Sequence, residues 1–335
     1  MEILLAISAI LSFFSVLIIM PFWIKKAKEV GLKGKDVNKI DSKEVAEAGG
    51  VIVIAGFILG VLSYIAIRTF YIDSNEHDVE IFSLISTVLI ITFIGMVDDI
   101  FGWKIGLNKK TRIILILISA IPLIVINAGD SVVSLPFFEN LNLGLFFPLV
   151  IIPLGILCTS VGFNTIAGYN GLEAGQGILI IGALSLIAFF TGSSWLALIG
   201  LCMVVSLLAF LFFNKYPASV FPGNSMTYSV GALIAIFAVL GNFERVAIVI
   251  FIPYILEVCL KLRGGLKMES FAKPNSDGSI DMRYDKIYGL EHAAIYVLKK
   301  IKSTVYERDV VYLIHLFQII FIILGFLLFR DSIFI

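Results

Sequence analysis

Ten long apolar runs are the feature that most constrains this sequence. A helix needs about 20 mostly apolar residues to cross a bilayer, and fewer where neighbouring helices bury its ends. Of the 335 residues, 59% are hydrophobic and only 15% are charged, whereas soluble chains carry about 25% charged residues. We therefore predict an all-α polytopic membrane protein that forms one integral membrane domain over residues 1–335. The predicted spans are 1–23, 49–67, 81–97, 113–126, 143–161, 177–190, 195–213, 226–240, 246–262 and 310–329.

The distribution of Lys and Arg predicts the orientation of these spans. Cationic residues near span ends accumulate on the cytoplasmic side of a membrane. The odd-numbered loops between the predicted spans hold 22 of the 25 Lys and Arg residues. This asymmetry predicts ten spans with both termini outside and with loops one, three, five, seven and nine in the cytoplasm. The formal net charge is zero, so we expect no nucleic-acid partner.

Loop nine, residues 263–309, is long enough to contain structure of its own. Apolar residues recur in it at spacings of three and four, which predicts an amphipathic helix. This helix either lies on the inner membrane surface or packs against the rest of the loop, and the sequence favours neither. The recurring residues are Ile287, Leu290, Ala294, Val297 and Ile301.

Loops one, three, five and seven also contain most of the conspicuous polar segments. The segments are GLKGKDVNKIDSKEVAEAGG in loop one, GMVDDIFGWK in loop three, FNTIAGYNGLEAGQG in loop five and FNKYPASVFPGNSMT in loop seven. Adjacent helical residues point about 100° apart, so Asp98 and Asp99 of loop three are expected to have different roles. One carboxylate can face a central cleft while the other binds a neighbouring helix or a metal.

Loop five combines carboxamides with glycines and has no Lys or Arg. Glycines let a backbone approach a ligand closely, and carboxamides offer donors and acceptors without net charge. Together with the acidic pair and the cations of loops three and nine, this pattern predicts Mg²⁺ with a phosphorylated substrate, because Mg²⁺ prefers oxygen ligands and shares them with substrate phosphates. No P-loop motif and no histidine cluster is present, so neither a P-loop ATPase nor a zinc enzyme is indicated.

Four segments carry a resemblance to a known family. They are GLKGKDVNK with the downstream EAGG, then GMVDDIFG, NTIAGYNGLEAGQG and YPASVFPGNS, and they occur in the order of that family. The chain resembles the polyprenyl-phosphate N-acetylhexosamine-1-phosphate transferases, and within them the UDP-GlcNAc:dolichyl-phosphate GlcNAc-1-phosphate transferases of archaeal and eukaryotic type. NGLEAGQ distinguishes it from bacterial relatives that use muramoyl-pentapeptide donors, which typically carry a DGxDGL version.

The resemblance implies a reaction on the cytoplasmic face. A polyprenyl (dolichyl) phosphate would attack the β-phosphorus of UDP-GlcNAc, giving UMP and GlcNAc-diphospho-lipid in the first step of a lipid-linked glycan pathway that serves protein glycosylation. Mg²⁺, with Mn²⁺ as a substitute, would bridge the diphosphate. Phosphoryl transfer depends mainly on positioning and charge neutralisation, so a strong general base is not required.

The family's site residues transfer onto this chain one by one. The resemblance implies that Asp98 or Asp99 orients the lipid phosphate or the metal, and that Asn164 helps to hold the metal. Further residues match the walls of the nucleotide pocket in loops one and five. These are Asp36, Val37, Asn38, Lys39, Glu47, Gly168 and Asn170.

Three positions depart from the family pattern. Asn224 stands where the family generally has a metal-binding Asp, so an oxygen ligand remains but its charge is lost. A family lysine after the acidic pair falls nearest Arg112, with Lys110 close by as a phosphate contact. In loop nine, the family's eukaryotic Arg-His-Arg cluster is replaced by separate cations, of which we choose Lys267 as the catalytic candidate.

Two alternatives remain open. The same chemistry could use another UDP-N-acetylated sugar, and a nucleotide-sugar transporter would also be polytopic. A transporter is expected to carry ionisable residues in the middle of its spans, whereas the polar residues here gather at one face. The lysine-rich loops resemble archaeal enzymes, which would lie in the cell membrane; a eukaryotic enzyme would lie in the endoplasmic reticulum membrane. A homodimer also stays open.

Overall fold

The computed structural model describes residues 2–41, 43–102, 106–133 and 141–334. Lys104, one of the loop-three cations, lies outside these residues. Seven helices within them are long and apolar enough to cross a membrane, so the chain is a polytopic, mostly helical membrane protein. These seven are α1 (Glu2–Glu29), α2 (Gly50–Ile67), α3 (Asp78–Phe101), α7 (Leu172–Phe190), α8 (Ser194–Asn214), α9 (Gly223–Gly241) and α13 (Glu307–Leu328).

The other three predicted spans coincide with shorter helical segments. The fourth corresponds to α4 (Lys109–Ser119) and α5 (Ile121–Val125), the fifth to α6 (Ile152–Phe163) with a π-helical turn before it, and the ninth to α10 (Glu244–Ile250) and α11 (Ile252–Arg263). Pro122 and Pro253 stand in the first turns of α5 and α11. Proline lacks a backbone N–H and fits the first turn of a helix without losing a hydrogen bond, so both prolines favour the start of a new helical segment there.

Helix α9 is the centre of the bundle. Every residue from Ser225 to Val239 is buried, and α9 packs against α3 and α6. The approach to α6 is close because Gly231 has no side chain: a Cβ there would lie 2.5 Å from the Cα atom of Ser160. The chain therefore brings the ends of α3, α6 and α9 together.

Three short antiparallel hairpins lie outside the helices. They are β1 (Lys33–Lys35) with β2 (Glu44–Ala46), β3 (Val132–Val133) with β4 (Leu141–Asn142), and β5 (Lys273–Pro274) with β6 (Ile280–Asp281). The first hairpin matters for the site, because Ala46 also forms a parallel bridge to Val220 and accepts a hydrogen bond from the Phe221 N–H at 2.7 Å. It is thereby attached to the segment that leads into α9.

Loop nine contains α12 (Leu290–Ile301), a helix within the segment where the sequence predicts one. It begins three residues later than the apolar pattern does. One face, with Glu291, His292 and Ile295, is buried against the protein, while Val297 and Ile301 are exposed. Contact of that exposed face with a membrane stays a prediction. The remaining helix, α14 (Arg330–Ile333), ends the described chain.

Candidate active site

A cavity of about 370 Å³ lies where loops one, three, five, seven and nine meet. Nine of the fourteen candidate residues line it, although they come from segments far apart in the chain. They are Asp36, Val37, Glu47, Asp98, Asp99, Arg112, Asn164, Gly168 and Asn224. The five that do not line it are Asn38, Lys39, Lys110, Asn170 and Lys267.

Asp98, near the end of α3, is held in a dense set of bonds. It is only 3% exposed. Its Oδ2 lies 2.8 Å from Arg112 Nη2 and accepts hydrogen bonds from Asn224 Nδ2 at 2.9 Å and the Tyr228 hydroxyl at 3.3 Å. Its Oδ1 accepts from the Leu107 N–H at 2.6 Å. Burial of this charge is tolerable because it is paired and fully hydrogen-bonded.

Asp99 points to a different partner, as the helical spacing predicts. Its two oxygens accept hydrogen bonds from the first backbone amides of α9, Asn224 N–H at 2.6 Å and Ser225 N–H at 3.1 Å. A helix N-terminus carries unsatisfied N–H groups and the positive end of the helix dipole. Asp99 therefore joins α3 to α9 and presents a carboxylate to the cavity at the same time.

Asn164 and Thr227 form the wall next to the acidic pair. The Thr227 hydroxyl donates to Asn164 Oδ1 at 2.8 Å, and both residues line the cavity. A carbonyl oxygen has a second lone pair, so this bond does not prevent Asn164 from binding a cation.

The donor set around the cavity fits Mg²⁺. It consists of the carboxylates of Asp98 and Asp99 and the amide oxygens of Asn164 and Asn224. Mg²⁺ takes oxygen ligands and commonly uses one or two carboxylates together with substrate phosphates and water. No group of three or more His, Cys, Asp or Glu residues that could hold a metal occurs in the described chain. Amide, water or substrate oxygens would complete the shell of a metal held by Asp98 or Asp99.

Glu47 adds a carboxyl group that is neutral at pH 7. Burial, followed by the negative charge of Asp99, raises the pKa of Glu47 to about 8. Its backbone carbonyl accepts a hydrogen bond from Trp23 Nε1 at 3.0 Å, which fixes the chain before α2. Because it is mostly protonated at pH 7, Glu47 can donate a hydrogen bond into the cavity without adding negative charge.

Asn38 connects three loops behind the cavity wall. Its Nδ2 donates to the Gly168 carbonyl at 2.8 Å, and its Oδ1 accepts from the Ala272 N–H at 3.0 Å. Gly168, at a φ of +94°, lies under the Phe271 ring, which would collide with a Cβ at that position. Asn38 therefore positions Gly168 and Phe271, both of which line the cavity.

Asn170 and Lys39 belong to a second buried network. Asn170 donates through its N–H and Nδ2 to Glu307 Oε1 at 2.7 and 2.8 Å, and its Oδ1 accepts from the Ala218 N–H at 2.6 Å. Lys39 pairs with Asp36 and lies 3.6 Å from Glu307. These groups join loops one, five and seven to the start of α13. Their bonds hold the cavity wall in place.

Several cavity residues escaped the sequence analysis. Lys33, Lys35, Phe271 and Thr227 all line the cavity. Lys33 and Lys35 stand within the segment GLKGKD and could have been found there, whereas nothing in the sequence around Phe271 indicates its place. The two remaining cation candidates, Lys110 and Lys267, are exposed.

Comparison with known proteins agrees with this constellation. The profile of glycosyl transferase family 4 matches residues 81–242, which run from α3 to the residue after α9 and contain Asp98, Asp99, Asn164 and Asn224. A protein of Saccharolobus solfataricus is 39% identical over 81% of this chain and 82% of its own length. The chain belongs to glycosyl transferase family 4.

The names of family members describe related reactions with different donors. The S. solfataricus relative is provisionally named UDP-N-acetylglucosamine–dolichyl-phosphate N-acetylglucosaminephosphotransferase. A Dictyostelium discoideum protein of that name is 26% identical over 68% of this chain and 64% of its own length. A Wolbachia protein, 28% identical over 72% of this chain and 76% of its own, is named phospho-N-acetylmuramoyl-pentapeptide-transferase.

Proposed function

We propose that this protein transfers GlcNAc-1-phosphate from UDP-GlcNAc to a polyprenyl phosphate such as dolichyl phosphate. The observation that carries the proposal is the single cavity in which Asp98, Asp99 and Asn164 meet at the ends of apolar helices. A water-soluble nucleotide sugar and a membrane-bound phosphate can meet at such a place. The names of the relatives from S. solfataricus and D. discoideum support this substrate pair.

In the proposed reaction, an oxygen of the lipid phosphate forms a bond to the β-phosphorus of the donor. The bond from that phosphorus to the bridging oxygen breaks, and UMP leaves with the electron pair. A phosphate nucleophile is largely ionised near neutral pH, so the protein's contribution is position and charge neutralisation. Arg112, held by Asp98, would face the developing charge, and Phe271 beside Gly168 offers a flat surface for the uracil.

A bound Mg²⁺ ion would supply electrostatic stabilisation of the diphosphate. Asp99, Asn164 and Asn224 would hold it, with Asp98 fixing the orientation of Asn224 through the 2.9 Å hydrogen bond. Mn²⁺ has similar ligand preferences and is expected to substitute. Isothermal titration of Mg²⁺ into the metal-free protein with UMP tests this arrangement apart from turnover, and Asn164→Leu should weaken the binding.

The proposed membrane topology has ten spans, both termini outside and the cavity facing the cytoplasm. Spans four, five and nine, which consist of shorter helical segments, account for the difference from the seven long helices. In a variant without cysteines, Ser276→Cys in loop nine should react with an impermeant maleimide only in inverted vesicles, and Asn75→Cys only in intact cells. The opposite pattern would refute the orientation. For an archaeal source, we propose the cell membrane as the location.

The decisive experiment measures UMP release. Purified protein with Mg²⁺, UDP-GlcNAc and dolichyl phosphate should release UMP and label the lipid. Asp99→Asn should reduce the rate at least a hundredfold, because it removes a charge that contacts the α9 amides and faces the cavity; exposed Asp331→Asn is the matched control. Absence of UMP with every UDP-N-acetylated sugar would refute the function, and sugar flux without UMP would indicate a transporter.

A donor panel in the same assay separates the substrate alternatives. UDP-GlcNAc is the proposed donor, and UDP-N-acetylmuramoyl-pentapeptide is the donor to compare with it. Oligomeric state is a separate question, and the homodimer stays a prediction that light scattering of the detergent-solubilised protein would test.

A further inference from the structure

Three cationic side chains line the cavity, and two of them already have anionic partners. Arg112 Nη2 lies 2.8 Å from Asp98 Oδ2. Lys33 Nζ donates to Glu44 Oε2 at 2.7 Å. Lys35 has no ion pair or side-chain hydrogen bond among the residues that the structure describes. Lys35 stands opposite Glu44 in the hairpin and interacts with that carboxylate at longer range, so it is the cavity lysine without a direct ion pair among the described residues.

The position of Lys35 is fixed by the hairpin that carries it. Lys33 and Lys35 are two residues apart on β1, so their side chains extend from the same face. Gly34 faces the other way, where a Cβ would collide with the Glu47 carboxylate and approach Phe221 to 3.1 Å. The hairpin is therefore pressed against the wall that precedes α9.

Further bonds join this hairpin to the acidic side of the cavity. The Glu47 N–H donates to the Leu32 carbonyl at 3.1 Å, and the Gly49 N–H donates to the Phe221 carbonyl at 2.9 Å. Phe221 is followed two residues later by the α9 N-terminus that holds Asp99. Lys35 is thus attached to the same framework as the acidic pair, although its own side chain is exposed.

We propose that Lys35 binds a phosphate group of a substrate in this cavity. The inference rests on the proposed function and names a residue for that reaction. Among the described residues, five carboxyl groups line the cavity, and a phosphate oxyanion entering it needs a cation that is not held in a close ion pair. A lysine ammonium is a flexible point charge with three donors, which suits contact with phosphate oxygens from the edge of a site.

The phosphate could belong to the nucleotide sugar or to the lipid, and separate kinetic measurements distinguish them. Lys35→Gln should raise the KM for one of the two substrates about tenfold, the effect of losing one charged hydrogen bond. A rise for UDP-GlcNAc assigns the donor diphosphate, and a rise for dolichyl phosphate assigns the acceptor. Lys28→Gln, an exposed lysine at the end of α1 away from the cavity, is the matched control.

A second variant changes the same electrostatics in the opposite direction. Glu44→Gln removes the carboxylate that pairs with Lys33 and also interacts with Lys35, so the KM that rises in Lys35→Gln should fall in Glu44→Gln. Raising the NaCl concentration should weaken binding of the affected substrate more in the wild type than in Lys35→Gln, because salt screens a lysine charge that the variant lacks.

The possible outcomes separate this inference from the proposed function. If the wild type releases no UMP, the function fails. If the wild type is active and Lys35→Gln has both KM values of the Lys28→Gln control, Lys35 does not bind phosphate. Equal melting temperatures of the two variants would exclude a folding defect. If Lys35→Gln does not fold, Glu44→Gln carries the test, and KM values equal to those of the wild type would overturn the inference.

Discussion

Gly95 in α3 provides a sensitive test of how the acidic pair is positioned. A Cβ at Gly95 would lie 2.6 Å from the carbonyl carbon and oxygen of Asn224 and from the Ser225 nitrogen. Ordinary contact begins at 3.4 Å, so Gly95→Ala should separate α3 from the α9 N-terminus by about 0.8 Å. The same two backbone amides bind Asp99, one turn further along α3. The substitution therefore disturbs the site without replacing any cavity residue.

The size of the effect follows from these contacts. Overpacking of a tight contact costs about 1–3 kcal/mol, and each hydrogen bond to a charged group contributes about 1.5–3 kcal/mol. Lengthening of the 2.6 and 3.1 Å bonds by most of an ångström would weaken the first and break the second. We expect Gly95→Ala to lose about 3 kcal/mol of stability, or about 5 °C in melting temperature, and to lower UMP formation at least tenfold.

Gly155→Ala in α6 is the matched control. A Cβ there would meet only the Ala235 methyl group at 4.0 Å. Alanine loses less backbone entropy than glycine in a helix, so this variant should gain about 0.5–1 kcal/mol and keep its activity. Thermal unfolding in detergent and UMP release measure both variants. The reasoning would be refuted if both substitutions shifted the melting temperature in the same direction, or if Gly95→Ala kept full activity.

Three further predictions concern single side chains. Burial and the charge of Glu257 raise the pKa of Glu291 well above its usual value. The unfolded chain therefore loses this proton more readily than the folded protein, and the stability of the fold decreases as pH rises above about 4.5. Glu291→Gln should raise the melting temperature relative to the wild type at pH 8 but not at pH 4.5, and equal differences at both pH values would contradict this. Phe271→Leu should raise the KM for UDP-GlcNAc about fivefold by removing an aromatic surface, with little change in kcat, and binding of UMP by calorimetry would check it. Asn224→Asp places another carboxylate beside Asp98, so it should lower the melting temperature in EDTA. Mg²⁺ should then raise the melting temperature of this variant more than that of the wild type. An equal rise in both proteins would show that residue 224 does not bind the metal.

The membrane class and most of the cavity could be predicted because they depend on local sequence. Long apolar runs are sufficient for spanning helices, and the polar segments GMVDDIFG and FNTIAGYNG each end or follow one helix. The bonds between segments could not be predicted. Asn170 meets Glu307 across 137 positions of the chain, and Asn38 meets Ala272 across 234. Such pairs depend on packing, which single-sequence patterns do not contain.

Packing between distant segments also decides the roles of the individual cations and carboxamides. The sequence indicates how many cations the odd-numbered loops hold, but only packing decides that Lys35 lines the cavity and that Lys267 is exposed. Asn170 matches a family position beside the uracil. Its side-chain amide, however, already donates to Glu307 and Asp36 and accepts from the Ala218 N–H. The sequence identifies polar residues near a site, whereas their hydrogen-bond partners decide which remain available to a ligand.

The carboxyl groups of the cavity already have partners within the protein, and this has a consequence for binding. Asp98 pairs with Arg112 and Asp36 with Lys39, Asp99 accepts hydrogen bonds from the α9 amides, and Glu47 is mostly protonated at pH 7. A divalent cation would therefore share carboxylate oxygens that already accept hydrogen bonds. Metal affinity should therefore be low until a substrate phosphate supplies further oxygens, which makes metal and nucleotide binding mutually reinforcing.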